Sequence, residues 1–151
     1  MSGSPNGVRV KPSRKSGKSR PEETAARLKS AGLRPTRQRL ALARLLGAEH
    51  RHVTAEALHE EAKRAGIPVS LATIYNTLHQ FTHAGLLNQV VVDSARSYFD
   101  TNTGSHQHFF CEDDGELIDI PGDAIEVSRV PQPPKGMTVD RVDVVVRVRR
   151  A

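Results

Sequence analysis

The hydrophobic period of the chain switches once, near Gly85, and that switch limits the folds open to it. Ahead of Gly85 apolar residues recur at helical spacing; beyond it they alternate. Residues 22–31 open with Glu22 and Glu23, which suit a positive helix N-terminus, bury Ala25 and Leu28, and stop at Gly32. Thr36 is a candidate N-cap for a helix over 37–47, with Leu42, Leu45 and Leu46 on one stripe. Thr54 caps 55–65, where Leu58, Ala62 and Ala65 are in register and Gly66 is the stop. Pro68 and Ser70 start 71–84, in which Leu71, Ile74, Leu78 and Phe81 share a face. After the switch, 86–92 and 96–100 flank a short Asp93-Ser94-Ala95 turn and read as a β-hairpin. Compact helices followed by a hairpin make the winged helix-turn-helix pattern; a helical bundle followed by an unrelated sheet is the alternative.

Residues 101–105 (TNTGS) read as a hinge. Beyond them, 106–111 and 116–120 form an expected strand pair around a Glu112-Asp113-Asp114-Gly115 turn, and a short helix is expected over 122–129. A proline-rich loop at 131–134 precedes 138–149. There Val142, Val144, Val146 and Val148 alternate with Arg141, Asp143, Arg147 and Arg149, a strand signal. The expected fold class is therefore α+β: a winged helix-turn-helix over 22–100, then a small α+β unit over 106–151. A unit of about fifty residues is thin and calls for a partner or a metal. Homodimerisation through it would present two DNA-reading units about a two-fold axis.

Charge is distributed in step with this division. Residues 1–21 carry six Lys/Arg and no acid, 22–97 carry ten basic against seven acidic residues, and 98–151 six against ten. A basic front meets a polyanion; an acidic back holds a cation. The first 21 residues, with only two valines as aliphatic content, read as a disordered basic arm with nonspecific DNA contact. Their composition also resembles an organellar transit peptide, but Pro5, Pro12 and three glycines spoil an amphipathic helix. No stretch is apolar enough for a membrane span, and a cytoplasmic setting is the simplest fit. Aromatics are only 4% with no Trp, which argues against carbohydrate or aromatic-rich single-strand binding. Cys111 is the sole cysteine, so neither an intrachain disulfide nor a four-cysteine structural zinc can form; a buried, inert thiol is expected.

Two groups of residues carry chemistry. On the fourth helix Ala72, Asn76, His79 and His83 lie opposite the apolar stripe, flanked by Thr73 and Tyr75. Ala72 offers a methyl surface to thymine and Asn76 can pair bidentately with adenine. Thr73 and Tyr75 are placed for phosphates, and Arg34, Arg37 and Arg39 for the backbone or minor groove. The bland reading is a solvated polar face. The second group is His106 and His108, which strand alternation puts on one face, with Asp100 at the end of the wing and His52 before the third helix. This borderline N/O set suits Fe(II), Mn(II) or Zn(II) and spans the two halves of the chain. Haem is the other candidate ligand for His106 and His108, with Phe109 and Phe110 as an apolar wall; two surface histidines with no ligand are the bland reading. No nucleophile–base pair, Gly-rich phosphate loop or H-E-x-x-H supports an enzyme.

The segments Leu33-Arg-Pro-Thr-Arg-Gln-Arg39, His52-Val-Thr-Ala-Glu56, Ser70-Leu-Ala-Thr-Ile-Tyr-Asn-Thr-Leu-His-Gln-Phe81 and His106-Gln-His108 resemble the ferric uptake regulator family. Tyr75-Asn-Thr-Leu-His-Gln-Phe81, Ser97-Tyr-Phe-Asp-Thr-Asn102 and His108-Phe-Phe110 are similar to its iron response regulator subgroup. The resemblance implies a homodimeric DNA-binding repressor with a sensory metal site at His52, Asp100, His106 and His108. The family's C-x-x-C pairs are not kept: Asp114 stands where the second cysteine of the first pair would be, and the later pair is missing. Asn76 replaces the usual arginine after the recognition-helix tyrosine, which fits the subgroup's A/T-rich inverted-repeat operator. The subgroup further implies regulation of iron and haem homeostasis under haem control at His106 and His108. A regulator of the same family sensing Mn, Zn or oxidative stress is the alternative.

Overall fold

The computed structural model describes residues 20–151. Apart from Arg20 and Pro21, the expected basic arm lies outside the described residues. Four helices come first: α1 (Pro21–Ser30), α2 (Arg37–Leu46), α3 (Ala55–Arg64) and α4 (Leu71–His83). Each ends within about a residue of its expected bounds, because the local stop and start signals operate as read. Thr36, Thr54 and Ser70 each accept a backbone N–H three residues on. After α4, Gly85 takes a left-handed φ of 80°, and the Leu86 N–H returns to the Phe81 carbonyl.

The helices bury Leu28, Leu42, Leu46, Leu58, Ile74, Leu78 and Phe81 in one core. A three-stranded antiparallel sheet closes it, ordered β1 (His52–Val53), β3 (Ser97–Asp100), β2 (Asn88–Val91), with Phe99 inserted into the helical core. The β2–β3 hairpin beside α3 and α4 is the arrangement expected of a winged helix-turn-helix.

A second sheet holds β4 (His106–Cys111) between β5 (Glu116–Pro121), antiparallel, and β6 (Val145–Val148), parallel. The wing does not project freely. Val90 and Val92 pack with Phe110, Leu117, Tyr98 and Val145 in a second small core. Tyr98 donates to the Gly115 carbonyl (2.6 Å), Arg141 to Gln89 O (2.9 Å) and Arg147 to Val92 O.

Two expected elements differ. The helix over 122–129 does not form: a turn follows Pro121, and 125–144 run without regular structure. The segment offers no i, i+4 apolar stripe to bury, and three prolines follow it. The strand over 138–149 shortens to Val145–Val148, because β4 offers it partners only over His108–Cys111. Val145 and Arg147 turn toward the wing, the guanidinium 5.9 Å from the Phe110 ring centroid, while Val146 and Val148 alternate to the other face.

Candidate metal centre and nucleic-acid interface

Strand register builds the metal cluster. His52 lies opposite Asp100 on β1 and β3, and His108 lies opposite Asp119 on β4 and β5. His106 and His108, two apart, share the face of β4 that meets the wing sheet. The result is one donor atom from each of His52, Asp100, His106, His108 and Asp119, all within 4.8 Å of one another. Asp119 was not among the residues read from the sequence. Its signal was there: closing the hairpin through the 112–115 turn pairs Cys111 with Glu116 and so sets His108 against Asp119.

The Asp100 carboxylate is fully buried and is the focus of the cluster. Its Oδ2 lies 2.7 Å from His106 Nε2, 2.9 Å from His108 Nε2 and 3.2 Å from His52 Nε2. Asp119 Oδ1 sits 2.7, 3.4 and 3.3 Å from His52, His106 and His108 Nε2. The other Asp100 oxygen accepts the Asn102 N–H at 2.9 Å. Burial pushes the Asp100 carboxyl up, but hydrogen bonds from His108, His52, the Asn102 N–H and His106 prevail and hold it well below the usual carboxylate range. His52 is raised above 6.5, first by its hydrogen bond to Asp100. For His106 burial works downward, yet the bonds to Asp100 and the Gly104 carbonyl raise it.

This donor set fits a divalent cation. Ligand atoms at about 2.1 Å from a common centre and at right angles are about 3 Å apart, and the imidazole–carboxylate pairs here are 2.7–3.4 Å apart. His106 Nδ1 lies 2.7 Å from the Gly104 carbonyl. With its proton there, Nε2 points a lone pair at carboxylate oxygens, an arrangement that a proton or a cation between them must stabilise. Three imidazoles and two carboxylates suit Fe(II), Mn(II) or Zn(II).

The haem wall expected of Phe109 and Phe110 is not assembled. Phe110 is buried under the wing, and Phe109 points from the opposite face of β4. Cys111 is a buried free thiol, and the acids beside it, Glu112 and Asp114, are tied into ion pairs. Arg150 reaches Asp114 (2.5 Å) and Arg147 reaches Glu112 (2.7 Å).

On α4, Ala72 and Asn76 are exposed, as are His79 and His83. Thr73 is half-buried, its hydroxyl 2.9 Å from that of Ser70. Tyr75 donates to Glu56 at 2.5 Å. Arg34 and Arg37 are exposed near the start of α2. Arg39 is turned inward: its guanidinium donates twice to Gln80 Oε1 (3.0 and 3.2 Å) and once to the Arg34 carbonyl (3.0 Å). It thereby braces α2 against α4.

A helix-turn-helix unit joined to a second sheet through a cluster of possible cation ligands defines a class: the metal-responsive DNA-binding regulators. Known proteins place the chain within it. The ferric uptake regulator family matches residues 30–146. The peroxide-responsive repressor PerR of Staphylococcus aureus is 37% identical over 99 residues, 66% of this chain and 67% of that one. The ferric uptake regulator from Pseudomonas aeruginosa, solved with manganese, superposes with a TM-score of 0.65 at 32% identity, covering 84% of this chain and 97% of that one. The Vibrio cholerae regulator does so with 0.65 at 30%, covering 83% and 98%. The chain belongs to the ferric uptake regulator family, and with it is a transcription regulator, not an enzyme. The Staphylococcus aureus relatives are named peroxide-responsive repressors and lend the iron response regulator subgroup no support.

Proposed function

We propose that the chain is a divalent-metal-controlled repressor that binds an A/T-rich inverted repeat as a homodimer. The observation that carries this reading is the convergence of His52 and Asp100 from the wing sheet with His106, His108 and Asp119 from the second sheet. A cation there supplies the positive centre that the two carboxylates and three imidazole lone pairs lack. The five side chains then tie β1 and β3 to β4 and β5, which fixes the angle at which α4 meets DNA. Ala72 and Asn76 read base edges, and Thr73, Tyr75, Arg34 and Arg37 approach phosphates. Arg39 supports them from behind. Residues 101–105 act as the hinge, held at its start by Thr101, whose hydroxyl accepts the Arg51 N–H at 2.9 Å.

The test is anisotropy titration of labelled duplexes with and without Mn2+, for wild type and the His106→Ala/His108→Ala pair. Metal should tighten wild-type binding to a selected duplex, chelator should reverse it, and the pair variant should not respond. Metal-independent binding would overturn the reading. A second reading is control by oxidation of bound iron, favoured by the PerR relatives; exposure of the Fe2+-loaded protein to peroxide should then release DNA, and the Mn2+-loaded protein should be spared. Haem control, which the subgroup resemblance implies, would use His106 and His108 of the same cluster: a saturable Soret band lost in the pair variant would establish it.

A further inference from the structure

The geometry points to Glu56 as a specificity-determining residue: tethered by the Tyr75 hydroxyl, its carboxylate stands at the DNA face of the helix pair and selects against duplexes that offer phosphate charge alone. This inference rests on the DNA-binding reading above.

Glu56 lies in the first turn of α3 and is exposed. Its Oε1 accepts the Tyr75 hydroxyl at 2.5 Å, and Tyr75 stands on α4 three residues after exposed Ala72 and one before exposed Asn76. Among the described residues the neighbouring acids have cations: Glu60 pairs with Lys63 and Glu61 with Arg51. Glu56 forms no ion pair there. Tyr75 is itself fixed, stacked on His79 at 6.4 Å and 24°, with His79 edge-on to buried Phe99 at 5.6 Å. The tyrosine thus anchors a charge that would otherwise swing into solvent. The bond to Glu56 is also the first cause of the raised Tyr75 pKa, as expected for a phenol that donates to an anion.

A phosphate approaching the Tyr75 hydroxyl meets this carboxylate first. Random DNA, held almost wholly by phosphate charge, bears that repulsion without compensation. A duplex whose bases engage Ala72 and Asn76 holds α4 in register long enough for Tyr75 to exchange Glu56 for phosphate, which releases the carboxylate. An unfavourable charge placed against the wrong partner is a general route to selectivity.

The test compares two duplexes, one of random sequence and one enriched from a random pool by metal-loaded wild-type protein, using Glu56→Gln, Tyr75→Phe and the double variant. Glu56→Gln should tighten binding to the random duplex by roughly fivefold, the scale of one surface charge at contact distance. It should steepen the salt slope there by up to about one. It should change the enriched duplex by less than twofold, so that selectivity falls. On the Tyr75→Phe background the tether is gone, and the further change at Glu56 should shift random-duplex affinity by less than about twofold. A change that only unsettles the fold would instead weaken both duplexes and lower Tm. Unchanged random-duplex affinity in Glu56→Gln, with the enriched duplex still bound, would overturn the inference while leaving the DNA-binding reading intact. Failure of wild type to enrich any duplex would overturn both.

Discussion

Asp100 determines how the metal cluster behaves before any cation arrives. Its buried carboxylate stays ionised because three imidazoles and the Asn102 N–H face it. In Asp100→Asn one of those oxygens becomes an amide nitrogen, and the cluster loses its central anion. Mn2+ affinity by calorimetry should then fall by roughly a hundredfold or more. Asp119→Asn, at the open edge of the cluster, should lose roughly tenfold, on the scale that supporting partners of metal sites typically carry. The histidines set the pH dependence. His52 and His106 titrate above 6.5 in the folded chain. In the metal-free protein their pairing with Asp100 therefore stabilises the fold fully below about pH 6.5 and ceases to do so as pH rises through the raised values. Asp100 has the opposite sign: its contribution is present above the unfolded carboxylate value of 3.8 and disappears only in strong acid. A cation must displace the histidine protons. Mn2+ affinity should accordingly climb with pH above 6.5 and level off once both rings are neutral. Titrations from pH 6 to 8.5 that gave a flat affinity would contradict the arrangement of protons described here.

At the scale of elements, capping fixes where α4 begins. Ser70 accepts the Thr73 N–H at 3.1 Å and its hydroxyl lies 2.9 Å from that of Thr73, so both partners sit at the end of α4 that bears Ala72. Ser70→Ala should cost about 1 kcal/mol, seen as a Tm lower by a few degrees with metal affinity unchanged. A tighter constraint lies beside the hinge. A Cβ added at Gly122 would stand 2.7 Å from the Ser105 carbonyl oxygen, next to His106. Gly122→Ala should push these strand ends apart at a cost of about 1–3 kcal/mol and weaken Mn2+ binding as well. The helices and their caps were legible because the signals are local: Thr36, Thr54 and Ser70 act on residues three positions away. The pairing of His106 with His108 was legible for the same reason. Asp119 depended on a hairpin register that had to be followed across the turn. The docking of Val90 and Val92 on Phe110 was not legible at all, since a wing strand with alternating residues can present its apolar face to solvent, DNA or another sheet. The missing helix over 122–129 shows the limit of local reading: Ile125 and Val127, two apart, fall on different sides of a helix, and a short helix with no apolar stripe to bury is not stable alone.

On the scale of the whole molecule, the apolar surface is unevenly placed. Among the described residues, seven of the eight exposed large apolar side chains lie between positions 109 and 142. On the second sheet the register aligns Ile118, Phe109 and Val146 in a row across β5, β4 and β6. That row lies on the face opposite His106, His108 and Asp119, because odd and even positions of a strand point to opposite sides. One face of this sheet therefore carries the candidate cation ligands and packs on the wing, while the other presents an apolar row. A second copy of the chain covers it most economically, since a two-fold pairing buries the same row twice. Such a pairing, proposed above, would also set two α4 helices against successive half-sites, one helical turn or a multiple apart. Ile118→Asp places a carboxylate at the centre of that row without touching the cluster behind it. The variant should halve the molar mass measured by light scattering and keep Mn2+ affinity near the wild-type value. Affinity for an inverted-repeat duplex should fall by roughly a hundredfold or more as the second half-site ceases to be an intramolecular partner, whereas binding to a random duplex should change far less. If Ile118→Asp retains the wild-type mass, the row is not the pairing surface, and the inverted-repeat geometry proposed for the operator loses its structural basis.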